Sequence, residues 1–113
     1  MRKALWHVVL ISFRPNATQA TRKEVYSRYQ TLDEDCGGKA AGILFWKVDH
    51  NLDLRKSVHL VEIAIFKNDD ALQKFRMHPA HKAFTENLLS KVADWTVGDI
   101  HYPAFLGKAT ETS

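Results

Sequence analysis

Two apolar runs decide the fold of this chain: AGILFWKV at residues 41–48 and SVHLVEIAIF at residues 57–66. Both are rich in aliphatic, β-branched and aromatic side chains, a composition typical of β-strands. Because only the polar connection 49–56 separates them, we expect the two strands to pair as a hairpin with a long loop. The chain therefore has two consecutive strands near its middle, and the segments on either side of them set the topology.

Each side of this hairpin carries a predicted helix and, further out, a predicted strand. Before the hairpin, residues 5–14 (LWHVVLISFR) predict a strand, and residues 19–33 predict a helix capped by Thr18. Gly37 and Gly38 then give the backbone the freedom to reverse direction.

After the hairpin, Asn68 or Asp69 is placed to cap a helix that begins at Asp70 and runs to about residue 94. Pro79 interrupts this helix, because proline lacks a backbone donor and clashes with the preceding turn. Residues 95–102 predict the last strand.

The resulting order, β-α-β-β-α-β, is that of the ferredoxin-like fold, an α+β architecture with an antiparallel sheet and both helices on one face. We expect one domain over residues 5–103 and a polar tail over residues 104–113 that frays.

The side chains of the strands are divided between a face covered by helices and an open face. The helix side is predicted to hold Leu5, His7, Val9 and Ile11 of the first strand and His59, Val61, Ile63 and Ile65 of the third. The open face is predicted to hold Trp6, Val8, Leu10, Leu44, Trp46, Leu60, Ala64 and Phe66. So large an apolar area exceeds the few hundred Å² that a monomer normally exposes, which predicts a homodimer through the open sheet face.

Composition narrows the classes of function. The 16 basic residues are interspersed with 13 acidic ones, giving a net charge of +3 without a basic run, which disfavours nucleic-acid binding. The first apolar run stops at Ser12, well short of a membrane span, so we expect a cytoplasmic protein that does not bind a membrane. With Cys36 as the single cysteine, neither an internal disulfide nor a multi-cysteine zinc site can form.

The most specific string in the sequence is His78-Pro79-Ala80-His81, followed by Phe84. Together with HVVL at residues 7–10, VHLV at residues 58–61 and the strand at 95–102, it resembles the stress-responsive A/B-barrel (Dabb) family. The resemblance covers about residues 6–102. It implies a dimeric α+β barrel without an organic cofactor, with a pocket for a small-molecule ligand between the sheet and the helices of each protomer.

The resemblance also implies site residues. The best-understood enzyme of the family is a plant polyketide cyclase that performs an intramolecular aldol condensation, with a tyrosine and a histidine of the helical segment and further histidines on two strands. The corresponding histidines here are His81, His7 and His59, which we take as candidate catalytic residues. The tyrosine position is occupied by Phe75, which cannot donate a hydrogen bond, so the cyclase mechanism does not transfer unchanged. Phe75, His78 and Phe84 are the candidate substrate-binding residues.

Histidine chemistry supports an acid–base site independently of the resemblance. Imidazole titrates near ~6.5, and three such rings converging in an apolar pocket suit proton abstraction next to a carbonyl. The structural alternative is that His78 closes the first helical piece, while His7 and His59 are half-buried strand residues bonded to backbone carbonyls. We predict no metal site, because the His78 to His81 spacing crosses a proline and no cysteine or nearby carboxylate completes a recognised signature.

Three hypotheses of function follow. The first is a cofactor-independent lyase, isomerase or cyclase that acts on a keto or phenolic compound by histidine acid–base chemistry. The second is a non-catalytic ligand-binding or stress-protective dimer. The third, a haem or quinol monooxygenase, is disfavoured because no histidine lies in a recognised haem-ligand context.

Overall fold

Four antiparallel strands form the sheet of this protein. In the computed structural model, which describes residues 3–101, they are β1 (Leu5–Phe13), β2 (Ile43–His50), β3 (Leu60–Phe66) and β4 (Ala93–His101). Their spatial order is β2-β3-β1-β4, so β1 lies between β3 and β4. The predicted ferredoxin-like order of elements is confirmed.

The helices occupy the two connections between β1 and β2 and between β3 and β4. They are α1 (Gln19–Gln30), α2 (Leu32–Asp35), α3 (Asp69–Met77), α4 (Pro79–Phe84) and α5 (Ser90–Val92). A 3-10 turn spans Gly38–Ala41, and a π-helical segment, Thr85–Leu89, joins α4 to α5. None of the helices within residues 3–101 has the length and apolar character needed to cross a bilayer.

Local sequence signals fix where the long helices begin and break. The Thr18 hydroxyl accepts the backbone N–H of Thr21 at 3.1 Å and caps α1. The Asn68 side chain accepts the N–H of Ala71 at 2.9 Å and caps α3. Pro79 is the first residue of α4, a position where a helix needs no N–H from that residue.

Several predicted boundaries differ from the observed ones. The first helix is not continuous over residues 19–33, because it breaks at Thr31 between α1 and α2. β2 extends to His50, and β3 begins at Leu60 and not at residue 57. The predicted strand end at residue 102, the domain end at residue 103 and the tail at 104–113 lie outside the described residues.

The helices cover one face of the sheet and bury the core against it. Phe66, Ile11, Leu60 and Val25 are the largest side chains with almost no exposure, and burying each contributes about 1.5–3 kcal/mol of transfer free energy. The opposite face carries Trp6 and Val8, which are half-buried, and Leu10, which is exposed. Their predicted place on the open face is consistent with this burial pattern.

The predicted faces of β3 are wrong. Leu60, Ala64 and Phe66 were expected on the open face but belong to the core, whereas Val61, Ile63 and Ile65 are half-buried on the open face. Cross-strand partners share a face, and the register pairs His7 with Ala64 and Ile11 with Leu60.

Trp46 is a second correction to the predicted open face. Its indole N–H donates to the backbone carbonyl of Tyr29 in α1 at 3.1 Å, and its ring packs against Phe75 of α3. It lies opposite Ala64 in the β2–β3 pair and so shares the helix side. Leu44, by contrast, is 46% exposed.

Candidate active site

His7, in the middle of β1, is held between two carboxylates. Its Nδ1 lies 2.5 Å from Oδ1 of Asp99, its cross-strand partner on β4. Its Nε2 lies 3.4 Å from Oε2 of Glu62 on β3. Arg76 of α3 donates to the other Asp99 oxygen at 2.8 Å and so fixes that carboxylate. The ring of His7 therefore has a defined orientation on the helix-covered face of the sheet.

Burial governs the protonation of His7. The residue is 4% exposed, and this burial lowers its pKa below the usual 6.5, while the hydrogen bond and charge of Asp99 act in the opposite direction. With Nδ1–H donated to Asp99, the neutral ring presents Nε2 as the basic nitrogen.

Glu62 and Tyr29 form a buried pair next to His7. The Tyr29 hydroxyl, from α1, donates to Oε1 of Glu62 at 2.6 Å. Burial raises the pKa of Glu62 to about 8 and that of Tyr29 well above 10.0. Glu62 is therefore mostly a neutral carboxylic acid at pH 7, and its Oε2 makes no hydrogen bond within the described residues.

His81, from α4, completes the cluster. Its ring packs on Phe75 with centroids 4.6 Å apart, and burial lowers its pKa. Its Nδ1 is buried and lacks a hydrogen-bond partner in the part of the chain that the structure describes. An unpartnered, neutral imidazole nitrogen can act as a general base, because its lone pair is available to accept a proton.

A cavity of about 260 Å³ brings these groups together. It lies between the sheet and the helices of both connections, and its lining is mainly apolar. The lining residues are His7, Val9, Tyr29, Leu32, Glu62, Arg76, His81, Phe84, Thr85, Leu89, Trp95 and Val97. Thr85 and Leu89 belong to the π-helical segment, a kind of distortion often found at functional sites.

Three of the six candidate residues predicted from the sequence line this cavity, and three do not. His7, His81 and Phe84 line it. Phe75 is buried behind it and contacts both His81 and His7. His78 caps α4, where its Nδ1 accepts the N–H of Ala80 at 3.0 Å, which fits the structural alternative considered for it.

His59 does not share the cavity with His7 and His81, and the expectation that it would is wrong. It precedes β3, its Nδ1 accepts the N–H of Phe13 at 3.0 Å, and it lines a separate cavity. The cause is the late start of β3, since strand alternation cannot be extended backwards through residues that are not in the strand.

Four side chains of the candidate site were not singled out from the sequence: Glu62, Tyr29, Asp99 and Arg76. Glu62 carried a usable signal, because it is a single carboxylate among apolar residues on one side of a strand. Tyr29 falls in the apolar stripe of its helix and looks like an ordinary core residue. No group of three His, Cys, Asp or Glu side chains within residues 3–101 is arranged to hold a metal ion.

Comparison with solved structures shows the same fold in several proteins of low sequence identity. A dimeric protein of unknown function from Bacteroides fragilis is 19% identical, with a TM-score of 0.72 over 88% of this chain and 96% of that one. A hydroxynitrile lyase from Passiflora edulis is 14% identical, with a TM-score of 0.74 over 92% and 97%. SnoaB, a cofactor-independent oxygenase from Streptomyces nogalater, is 15% identical, with a TM-score of 0.69 over 92% and 97%.

The sequence itself places the chain in a family. No curated protein matches it significantly. The family model of the stress responsive A/B barrel domain matches residues 5–102, which include both strands that hold the His7–Asp99 pair. This chain belongs to the stress responsive A/B barrel domain family.

Proposed function

We propose that this protein is a cytoplasmic, homodimeric, cofactor-independent enzyme of the lyase, isomerase or cyclase type. Its substrate is a small keto or phenolic compound, and its chemistry is proton transfer by histidine and carboxylic acid groups. The observation that carries the proposal is the meeting of His7, Glu62 and His81 in one apolar cavity of about 260 Å³. That volume lies just under the ~300 Å³ at which pockets for drug-sized ligands begin, so the substrate is small.

The assignment of His81 as base rests on its unpartnered nitrogen. A neutral imidazole whose pKa is lowered by burial is unprotonated at pH 7 and can accept a proton from a carbon next to a carbonyl. The electron pair of that C–H bond then moves toward the carbonyl oxygen, which develops negative charge.

Glu62 is assigned as the acid that receives this charge. Being neutral at pH 7, it can donate its proton to the developing enolate oxygen, which an ionised carboxylate could not do. The carboxylate that remains accepts a hydrogen bond from Tyr29 and faces Nε2 of His7. The resulting enol can be reprotonated at another carbon, expel a leaving group or attack a second carbonyl, which correspond to isomerase, lyase and cyclase outcomes.

His7 and Asp99 support this acid. The arrangement of a carboxylate that orients an imidazole, which in turn faces the reacting group, is a recurrent device for holding one tautomer. In this arrangement the unprotonated Nε2 of His7 faces Glu62 and favours its acid form. Glu62 regains its proton from the enol O–H when the carbonyl re-forms, and His81 gives its proton to the new carbon, the leaving group or the second carbonyl oxygen. Arg76 keeps Asp99 in place from the opposite side.

Two proteins of the same fold are enzymes, which supports an enzymatic role for this one. The Passiflora edulis protein is a hydroxynitrile lyase, and the Streptomyces nogalater protein is an oxygenase that needs no cofactor. Both have this fold.

The dimer part of the proposal rests on the open face of the sheet. Leu10, Phe45 and Leu44 are 36%, 47% and 46% exposed, and half-buried Trp6 and Ile65 pair beside them. Two such faces packed together would remove this apolar surface from water. The Bacteroides fragilis protein of the same fold is dimeric.

The test follows deuterium exchange, because proton abstraction can then be detected without knowledge of the product. A panel of β-keto acids and hydroxylated acetophenones is incubated with the protein in D₂O, and NMR records loss of the C–H signal next to the carbonyl. We expect exchange with the native protein and a loss of about 100-fold or more in His81→Ala. His50→Ala serves as the control, since His50 is an exposed histidine outside this cavity.

The melting temperature of His81→Ala distinguishes a catalytic role of His81 from a structural one. A catalytic His81 can be removed with little change in Tm, whereas a histidine that satisfies a buried partner costs about 1–3 kcal/mol when it is removed. If no compound exchanges, yet a compound of the panel binds equally to the native protein and to His81→Ala, the non-catalytic ligand-binding dimer replaces the enzyme. Phe75 in place of a tyrosine is the observation that favours this second candidate.

A further inference from the structure

A second cavity, of about 500 Å³, lies between α1 and the loop that joins β2 to β3. It has no lining residue in common with the His7 cavity, although the two are neighbours on the helix side of the sheet. Leu60 lines this cavity and Glu62, two positions further along β3, lines the other. Its volume falls in the ~300–1,000 Å³ range of small-molecule sites.

The electrostatic character of the second cavity is cationic. Arg22 and Lys23 of α1 line it, and no aspartate or glutamate from residues 3–101 does so. The Arg22 guanidinium donates to the backbone carbonyls of Ala17 and Arg14, at 3.1 and 3.4 Å, so its charge is positioned without being neutralised by either partner. Such a site favours an anion.

The walls of the cavity suit a flat apolar body. Tyr26 and His50 stack with centroids 4.6 Å apart and planes inclined by 8°, which holds two aromatic rings in a fixed orientation in the cavity wall. Phe13 and Leu60 provide apolar lining deeper in the fold. An aromatic ring packs well against both kinds of surface.

His59 adds a directional donor. Because its Nδ1 accepts the N–H of Phe13, the neutral ring carries its hydrogen on Nε2. His59 lines the cavity, so this hydrogen can be donated to a carboxylate oxygen of a ligand there.

The carboxylate of Asp49 does not cancel the positive charge of the cavity lining. It accepts from the Tyr26 hydroxyl at 3.4 Å, lies 3.7 Å from the Lys47 ammonium and does not line the cavity.

We propose that this second cavity binds a small aromatic carboxylate, with its ring against the Tyr26–His50 wall and its carboxylate toward Arg22 and Lys23. The site is independent of the proposed enzymatic function, and its test requires no turnover.

Benzoate is the probe, and its neutral isostere benzamide is the comparison. Titration of ¹⁵N-labelled protein with each compound is followed by NMR. We expect benzoate to bind in the millimolar range, to shift the signals of Tyr26, His50 and His59, and to bind more tightly than benzamide. Equal affinity for the two compounds, shifts centred on His7 and Trp95, or the absence of millimolar binding would each overturn the proposal.

The loop offers a matched pair of variants. Leu54 lines the cavity and Leu52 does not, and both are exposed, at 85% and 93%, so a charge at either position is compatible with folding. Leu54→Glu should weaken benzoate binding about fivefold, as expected for like charges about 4 Å apart in water. Leu52→Glu should leave it unchanged. Equal effects of the two substitutions would contradict the proposed site, since both add the same charge to the same loop.

Discussion

Nδ1 of His7 lies 2.5 Å from Oδ1 of Asp99, although 92 positions separate the two residues in the chain. They are direct partners in the β1–β4 register and therefore share the helix-covered face of the sheet. Glu62 reaches the other nitrogen of His7 from β3, so three adjacent strands each contribute one titratable side chain. The histidine of the proposed proton-transfer site therefore lies on β1, between the two strands that carry its carboxyl neighbours.

Asp99→Asn should impair the proposed proton transfer while leaving the fold intact. The amide can donate to Nδ1, which would place the hydrogen of the neutral ring on Nε2 and remove the basic nitrogen that faces Glu62. We expect the deuterium exchange rate to fall about 100-fold. The pKa of His7 should fall further, because Asp99 opposes the lowering caused by burial; an NMR titration of the ring measures it.

Asp94→Asn is the matched control for Asp99→Asn. Asp94 lies on the same strand and is paired with Arg14 at 2.9 Å, as Asp99 is paired with Arg76 at 2.8 Å. Asp94 is exposed and lies outside the cavity. Equal losses of exchange in the two variants would mean that the His7–Asp99 contact has no special role.

Glu62 should make the protein less stable as the pH rises from about 4.5 to about 8. Its pKa in the folded protein is raised from 4.5 to about 8, so across this window the folded state holds a proton that the unfolded state has released. The free energy of unfolding therefore decreases with pH, by up to about 4 kcal/mol for this group. Urea unfolding at a series of pH values should show a much smaller decrease in Glu62→Gln, whereas Glu24→Gln, at an exposed site, should behave like the native protein.

The buried histidines act with the opposite sign. The pKa values of His7 and His81 are lowered, so below 6.5 the unfolded state gains protons that the folded state resists. Their contribution to stability is present above 6.5 and is lost as the pH falls. We expect stability to pass through a maximum, and His81→Ala to flatten its acid side only.

Leu10→Lys should dissociate the proposed dimer. Leu10 lies on β1, next to the half-buried open-face residue Val61 of β3. An unpaired charge buried in an apolar interface costs several kcal/mol, about the size of the stability of a whole domain. Sedimentation should give a dimer for the native protein and a monomer or unfolded chain for Leu10→Lys. The control is Leu52→Lys, at a 93% exposed loop position; a native protein that sediments as a monomer at micromolar concentration would rule out the dimer.

Phe75→Tyr tests the position at which family resemblance implies a tyrosine. The ring of Phe75 lies 4.6 Å from that of His81, whose Nδ1 lacks a partner within residues 3–101. A hydroxyl introduced there can donate to that nitrogen, so we expect a loss of less than about 1 kcal/mol in stability. The pKa of His81 should fall, since the bond favours the neutral ring. Phe66→Tyr is the control, because its neighbour His7 has Asp99 bonded at Nδ1 and Glu62 facing Nε2; we expect it to cost about 1–3 kcal/mol.

The order of elements could be predicted from the sequence because the signals that set it are local. Thr18 and Asn68 cap their helices, Pro79 separates two helices, and the strand runs have the composition that strands require. His7 was also correctly assigned to the helix side, because the alternation within β1 is unambiguous. These signals act over a few residues and do not depend on which segments pair.

The composition of the candidate site was decided by the register between strands. Alternation divides β3 into two sets of side chains but does not say which set faces the helices, and an error of one residue exchanges them. Here the pairing of Ala64 with His7 turns Glu62 inward and Val61 outward, while the late start of β3 leaves His59 at another cavity. The sequence by itself determined that His7 lies on the first strand and that Glu62 is the single carboxylate of the third. Only tertiary structure brought Asp99, Glu62 and Tyr29 to His7, because contacts between residues so distant in the chain depend on the packing of the whole sheet against its helices.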